Sequence, residues 1–182
     1  MIKDPDEALV QRCRRGDAAA YGAIVERYQG PIYNAAYRVL GNAEDAADIA
    51  QVVFLKILER LDDYDSQFKF FSWIYRIALN ESLNLLRRNG RDDALGETDE
   101  LPGPAHADPE WQALEVELSA RVQAGLMKLR AEERMVLALR HFSECSYREI
   151  GEVLDIDEKT VKSRLFEARQ RLRGLLREVH AA

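Results

Sequence analysis

Ser146-Tyr147-Arg148-Glu149-Ile150-Gly151-Glu152-Val153-Leu154, Asp155-Ile156, and Asp157 through Leu176 together decide the architecture of this chain. The first nine residues read as a short helix and Asp155-Ile156 as a turn. Asp157 is placed to cap a longer helix running from Glu158 to about Leu176. In that second helix Val161, Leu165, Ala168, Leu172 and Leu175 recur at steps of four and three, one apolar face at helical period. The opposite face carries Lys159, Lys162, Ser163, Arg164, Phe166, Arg169 and Arg173. A short helix, a tight turn and a long basic-faced helix form a helix-turn-helix, whose second helix fits a DNA major groove. Gly151 stands where two such helices must touch. Asp155 stands at a turn position that favours positive φ, which Asp tolerates better than most residues.

The string Thr160-Val161-Lys162-Ser163-Arg164-Leu165-Phe166-x-Ala168-Arg169, opened by Tyr147-x-Glu149-Ile150, closely resembles the promoter-reading helix of the extracytoplasmic-function (ECF) sigma factors of bacterial RNA polymerase. The resemblance implies that Lys159, Thr160, Lys162, Ser163, Arg164, Phe166 and Arg169, with Arg148 from the first helix, contact the minus-thirty-five element. By helix geometry Lys162, Ser163 and Phe166 point at base edges, while Arg148, Thr160, Arg164 and Arg169 flank them toward phosphates. Glu167 departs from the family, which often has Arg there. An acid cannot hold guanine or phosphate, so the preferred promoter should differ near that contact.

Working outward, the net charge of −6 looks unsuited to nucleic acid until its distribution is read. Residues 89–110 hold seven acids and one base, which accounts for the whole imbalance. Three of the five prolines lie in the same stretch, together with Gly90, Gly96 and Gly103. It reads as an acidic, flexible tether that buries no core. The family resemblance adds that such linkers thread the polymerase RNA path. Cys13 and Cys145 stand alone and make no disulfide framework, which fits a reducing cytoplasm. No run of 18 apolar residues predicts a membrane span, and the acidic start Met1 to Glu7 is no signal peptide.

Ahead of the tether, helical stripes predict a first helix over 6–15 and a second over Ala18 to Tyr28. A break or kink is expected at Gly30-Pro31, then a third helix over Ile32 to Leu40, closed by Gly41-Asn42. Residues 43–61 form the most regular amphipathic helix of this half, with Val53, Phe54, Ile57, Leu58 and Leu61 among its apolar positions. Glu44, Asp45 and Asp48 load its start with charge that the helix dipole favours. Asp48-x-x-Gln51-x-x-Phe54 resembles the sigma-family motif that docks on the coiled coil of the largest polymerase subunit, so Glu44, Asp48, Gln51 and Phe54 are the expected core-binding residues. Val52 stands where the family usually has an acid.

After the polar loop 62–67, residues 68–88 read as one long helix in which five of the first eight residues are aromatic, with Lys69 and Arg76 among them. Aromatic core packing accounts for part of this. Rings interleaved with cations also suit unstacked single-stranded DNA, the rings taking bases and the cations phosphates. Phe70-x-x-Trp73-x-Tyr75-Arg76-Ile77-Ala78-x-Asn80 closely resembles the ECF segment that melts and reads the minus-ten element. By that resemblance Tyr64, Asp65, Ser66 and Gln67 build a pocket for a flipped base, Asn80 lines it, and Lys69, Trp73 and Arg76 complete the site.

Beyond the tether, Trp111, Leu114, Leu118, Val122, Leu126 and Leu129 form a helix stripe. A helix over Ala131 to His141 follows, with Met135, Val136, Leu139 and Phe142 expected to be buried. Leu129-x-x-Glu132-Glu133-Arg134-x-Val136-Leu137 resembles the family lead-in to the final motif. The expected architecture is therefore all-α: a region 2 domain over 1–88, the acidic linker over 89–110, and a region 4 domain over 111–182. The resemblance implies RNA polymerase core (its β and β′ subunits), promoter DNA and an anti-sigma factor as partners. It also implies a role in a stress or envelope response, with no catalytic residues, cofactor or metal. Three rivals are weaker. His141 and Cys145 supply two ligands, not a zinc site. Carboxylates of Glu44, Asp45, Asp48, Glu59, Asp62 and Asp63 lie on one helix and its end, whereas a Mg²⁺ hydrolase needs facing helices. A helix-turn-helix regulator unconnected to polymerase leaves the Asp48 motif and the aromatic–basic helix unexplained.

Overall fold

The computed structural model describes residues 6–90 and 119–178, whose regular elements are all helices with no strand among them. The first half packs α1 (Glu7–Arg14), α2 (Ala18–Leu40), α3 (Ala43–Arg60) and α4 (Phe70–Arg88), with a 3₁₀ turn at Leu61–Asp63. The second half contains α5 (described over 119–127), α6 (Ala131–His141), α7 (Tyr147–Leu154) and α8 (Glu158–Glu178). Of the tether 89–110, residues 91–110 lie outside the described residues, as do Trp111, Leu114 and Leu118.

α2 differs from the sequence expectation. It runs unbroken through Gly30-Pro31, both of which are exposed. Its buried stripe (Ala20, Ile24, Tyr28, Ile32, Ala35, Ala36, Val39) continues across the proline. Burial on both sides of Pro31 outweighs the lost hydrogen bond and ring clash, typically about 3 kcal/mol. The expected stop comes at Gly41, whose φ of +73° is left-handed and whose N–H bonds Tyr37 O at 2.8 Å. Asn42 then caps α3 by accepting from Asp45 N at 2.8 Å.

The two halves also pack on each other. α2 lies along α6, and α4 lies along α7. The Met127 side chain sits against Gly41, where a Cβ would collide with its sulfur. Arg38 reaches from α2 to Gln123 Oε1 (3.1 Å) and Ser119 Oγ (3.3 Å), with its guanidinium 4.1 Å from the centre of the Phe142 ring. Gln123, almost wholly buried, donates to Tyr37 O at 3.1 Å. Phe142 is therefore not the buried residue its position suggested. It is 43% exposed and serves as a cation–π platform for Arg38.

Candidate nucleic-acid and polymerase interfaces

In the helix-turn-helix the local chemistry follows the sequence closely. Ser146 and Glu149 form a reciprocal capping box: Glu149 N donates to Ser146 Oγ at 3.2 Å, and Ser146 N to Glu149 Oε2 at 2.8 Å. Asp155 adopts φ +56°, and Asp157 Oδ1 accepts from Thr160 N at 2.7 Å. Gly151 presses on the turn itself, since a Cβ there would lie 2.7 Å from Ile156 O. Val161, Leu165 and Ala168 are buried, so Lys159, Lys162, Ser163 and Phe166 face solvent, Phe166 with 64% exposure. Tyr147 lies beneath Lys162, whose Nζ is 5.9 Å from the ring centre, with Arg140 at 5.3 Å. Thr160 and Arg164 are half-buried on the flanks and Arg148 is exposed, 3.6 Å from Glu152. Two expected contacts are already engaged. Arg169 Nε donates to His141 Nε2 at 3.2 Å, and Ser163 Oγ donates to Lys159 O at 3.1 Å. Burial and the neighbouring Arg169 and Arg140 charges lower the His141 pKa, keeping its ring neutral as an acceptor. Cys145, the other half of the metal rival, is buried, and burial pushes its thiol up to about 12.

On α3, Glu44, Asp48 and Gln51 are exposed along one face, and that face continues through Leu55 (60% exposed) and Leu58 (53%). Phe54 is a correction. It is only 9% exposed, and its backbone carbonyl accepts from Tyr21 Oη at 3.0 Å. Its side chain belongs to the buried stripe, so the exposed face of α3 runs through its neighbours instead. Leu58, expected inside, lies outside, because Val53, Phe54 and Ile57 already complete the buried stripe. The sequence reading missed Leu55, although a leucine in register with Asp48 and Gln51 is a visible signal.

The aromatic–basic helix divides differently from the expectation. Phe70 and Tyr75 are core residues, 0% and 2% exposed. Phe70 meets the Tyr28 and Tyr64 rings edge-on, at 6.1 and 5.1 Å between centroids. Tyr64 is itself only 4% exposed, and its hydroxyl donates to Phe68 O at 2.7 Å. It is thus a pillar of the loop rather than a free ring. Beside it opens a cavity of about 420 Å³, lined in part by Tyr64, Asp65, Trp73, Arg76 and Asn80. Five of the eight expected minus-ten residues therefore converge. Ser66 and Gln67 do not join them: both are exposed on the loop beyond, where Gln67 N bonds Asp65 Oδ1 at 2.9 Å. Lys69 turns instead to Glu149 at 2.5 Å.

Further residues shape this cavity without having been legible in the sequence. Arg14 Nη2 donates to Leu61 O at 2.9 Å and Tyr64 O at 2.7 Å, clamping the loop from α1. Lys56 and Glu81 pair at 2.6 Å on the wall. Glu152, from the other half of the chain, closes one side. Partial burial pushes the Glu149 carboxyl up, but Lys69 and the Ser146 hydrogen bonds outweigh this and hold it at about 2.

Comparison with known proteins places the chain in a family. The sigma-70 region 2 family matches residues 24–92, and sigma-70 region 4 matches 119–172. The chain is 36% identical to the ECF RNA polymerase sigma factor SigW of Bacillus subtilis, over 93% of this chain and 96% of SigW. It is 31% identical to the ECF RNA polymerase sigma-E factor of Escherichia coli K12, over 91% of each chain. In structure it is similar to CnrH, solved in complex with the cytosolic domain of CnrY, with a TM-score of 0.73 and 26% identity over 95% of this chain and 97% of CnrH. With both sigma regions present in order and relatives spanning nearly its whole length, the chain belongs to the ECF sigma factors of the sigma-70 family.

Proposed function

We propose the following division of labour within this sigma factor, which binds RNA polymerase core and directs promoter-specific initiation. Residues 1–88 act as the region 2 domain, 89–110 as the linker and 111–182 as the region 4 domain. The exposed face of Glu44, Asp48, Gln51, Leu55 and Leu58 docks on core. The cavity bounded by Tyr64, Trp73, Arg76 and Asn80 takes an unstacked minus-ten base. Lys162, Ser163 and Phe166 read the minus-thirty-five duplex, with Arg148, Lys159, Thr160 and Arg164 toward phosphates. Action is in the cytoplasm, with polymerase, as an initiation factor rather than an enzyme. An anti-sigma factor holds it inactive, and the likeness to CnrH, solved in complex with the cytosolic domain of CnrY, supports a protein partner bound to this fold. No described helix is long and apolar enough to cross a membrane.

The observation that carries this reading is the convergence of Trp73, Arg76 and Asn80 on one cavity while α8 presents a separate exposed basic face. Transcription by purified core with and without the chain, on promoters recovered from holoenzyme-bound DNA, tests it. Added chain should give initiation at a defined set of promoters, and an unchanged transcript pattern would refute the assignment. Within that assay Asp48→Arg should weaken core binding about tenfold, or 1.4 kcal/mol, because it reverses an exposed interfacial charge without touching the core. Core affinity equal to wild type would remove α3 from the interface.

The minus-thirty-five roles separate by salt and sequence. Lys162→Ala should cost about 1–3 kcal/mol at one base position. Arg164→Ala should weaken every sequence alike and flatten the salt dependence. Arg169, occupied by His141, should contribute less than Arg164. Binding of the full chain to single-base promoter variants across a salt series checks this. Uniform loss over all variants for Lys162→Ala would assign that residue to phosphate.

A further inference from the structure

The cavity on α4 is not open to solvent on all sides, and what closes it comes from the helix-turn-helix. Glu152 lies on the cavity wall, with Oε2 3.3 Å from Ser72 Oγ. Arg76 donates to the Glu152 carbonyl, and Lys69 pairs with Glu149 at 2.5 Å. Two cations that would meet DNA phosphates are thus satisfied by one carboxylate and one carbonyl of α7, and a second carboxylate sits at the cavity. The α8 reading face is not covered: Lys159, Lys162, Ser163 and Phe166 remain exposed.

The arrangement is held by a second contact away from either DNA site. Arg38 on α2 bonds Gln123 and Ser119 of α5 and lies over Phe142, while Met127 packs on Gly41. None of these residues belongs to a proposed reading surface, yet all of them bridge the halves.

We propose that the free protein silences its own minus-ten site: α7, through Glu149 and Glu152, occupies the place of single-stranded DNA on α4, and the Arg38–Gln123–Phe142 clasp holds it there. This rests on the minus-ten assignment above. Minus-ten DNA and α7 compete for Lys69, Ser72 and Arg76, and anything that opens the clasp, polymerase core included, exposes the cavity. The minus-thirty-five face stays available throughout.

The test uses the full chain and a labelled single-stranded oligonucleotide carrying the minus-ten sequence, together with small-angle scattering. Arg38→Ala should open the clasp, and Glu149→Gln with Glu152→Gln should discharge both competing carboxylates while leaving the clasp in place. Wild type should scatter as one body with a radius of gyration of about 16 Å. Arg38→Ala should be larger, with unchanged helical circular dichroism. Arg38→Ala should bind the oligonucleotide more tightly, about tenfold if the closed form makes up about nine-tenths of the population, and the carboxylate variant should also bind more tightly but by a smaller factor. Duplex minus-thirty-five binding should not change. Adding Arg76→Ala should abolish the gain. Wild type already scattering as an extended pair of bodies, or binding the oligonucleotide as tightly as both variants, overturns the self-silencing. If scattering shows opening but no form binds the oligonucleotide, the minus-ten assignment falls and the competition falls with it.

Discussion

Tyr64→Ala will destabilise the first half of the chain by about 3–5 kcal/mol, the usual cost of deleting a buried aromatic ring. The family resemblance alone would make Tyr64 a DNA contact whose loss impairs reading and leaves the fold intact. The structure gives the ring a different task. It is 4% exposed and lies between Phe70 and Trp73, with centroids 5.1 and 5.6 Å away. The Arg14 guanidinium carbon stands 6.0 Å from the ring centre. Removing the ring leaves a void under the cavity and frees the loop that Arg14 clamps. Tyr64→Phe keeps the ring and loses only the 2.7 Å bond to Phe68 O, about 0.5–1.5 kcal/mol. Urea unfolding of the full chain, followed beside oligonucleotide binding, separates the roles. Tyr64→Ala should lose stability and binding together, and Tyr64→Phe should keep most of both. A Tyr64→Ala protein as stable as wild type but unable to bind DNA would restore the direct-contact role.

Gly151→Val will disrupt the helix-turn-helix. In an ordinary exposed helix, replacing Gly by a residue with a Cβ usually gains stability, up to about 1 kcal/mol for Ala. Here the sign reverses. The new Cβ would lie 2.7 Å from Ile156 O, a backbone atom, with Val161 Cγ2 at 4.0 Å. That carbonyl belongs to a turn pinned by Ile156 N bonding Gly151 O at 3.1 Å and by the left-handed Asp155. The backbone cannot retreat as a flexible side chain would, so α7 and α8 must separate or the turn must break. Overpacking of this kind costs about 1–3 kcal/mol, occasionally more. Because α8 is aimed by that turn, minus-thirty-five binding should fall further than the stability loss alone implies. Gly151→Ala should show the same sign at smaller size. Thermal melting and duplex binding of the two variants check it, and a Gly151→Val protein with wild-type melting and affinity would mean the turn is not rigid.

Local signals carried most of the site and little of its wiring. The capping chemistry at Asp157, the positive φ of Asp155, the Gly151 contact and the inward face of α8 were all legible in residues 146–176, because each depends on neighbours within one or two helical turns. So was the exposed run Glu44, Asp48 and Gln51. Where the sequence reading erred, a partner distant in sequence decided the outcome. Pro31 does not break α2, because neighbouring helices bury its residues both before and after the proline. Leu58 left its expected place in the stripe, because a helical pattern fixes a face only to within about one residue. Tyr75 and Phe70 could not be told from base-stacking rings until the core that holds them was known.

By itself the sequence determined an all-helical chain, the two sigma regions in order, the helix-turn-helix with the outward residues of α8, and the exposed face of α3 that carries Asp48 and Gln51. These rest on period, spacing and capping, which act over a few residues. Only the tertiary structure decided that Tyr64 is a pillar, that Arg14 clamps the loop across 50 residues, and that Arg38 and Glu152 tie one half to the other. Such contacts join positions whose proximity no local pattern encodes. They depend on which faces remain unpaired after each helix has buried its own stripe.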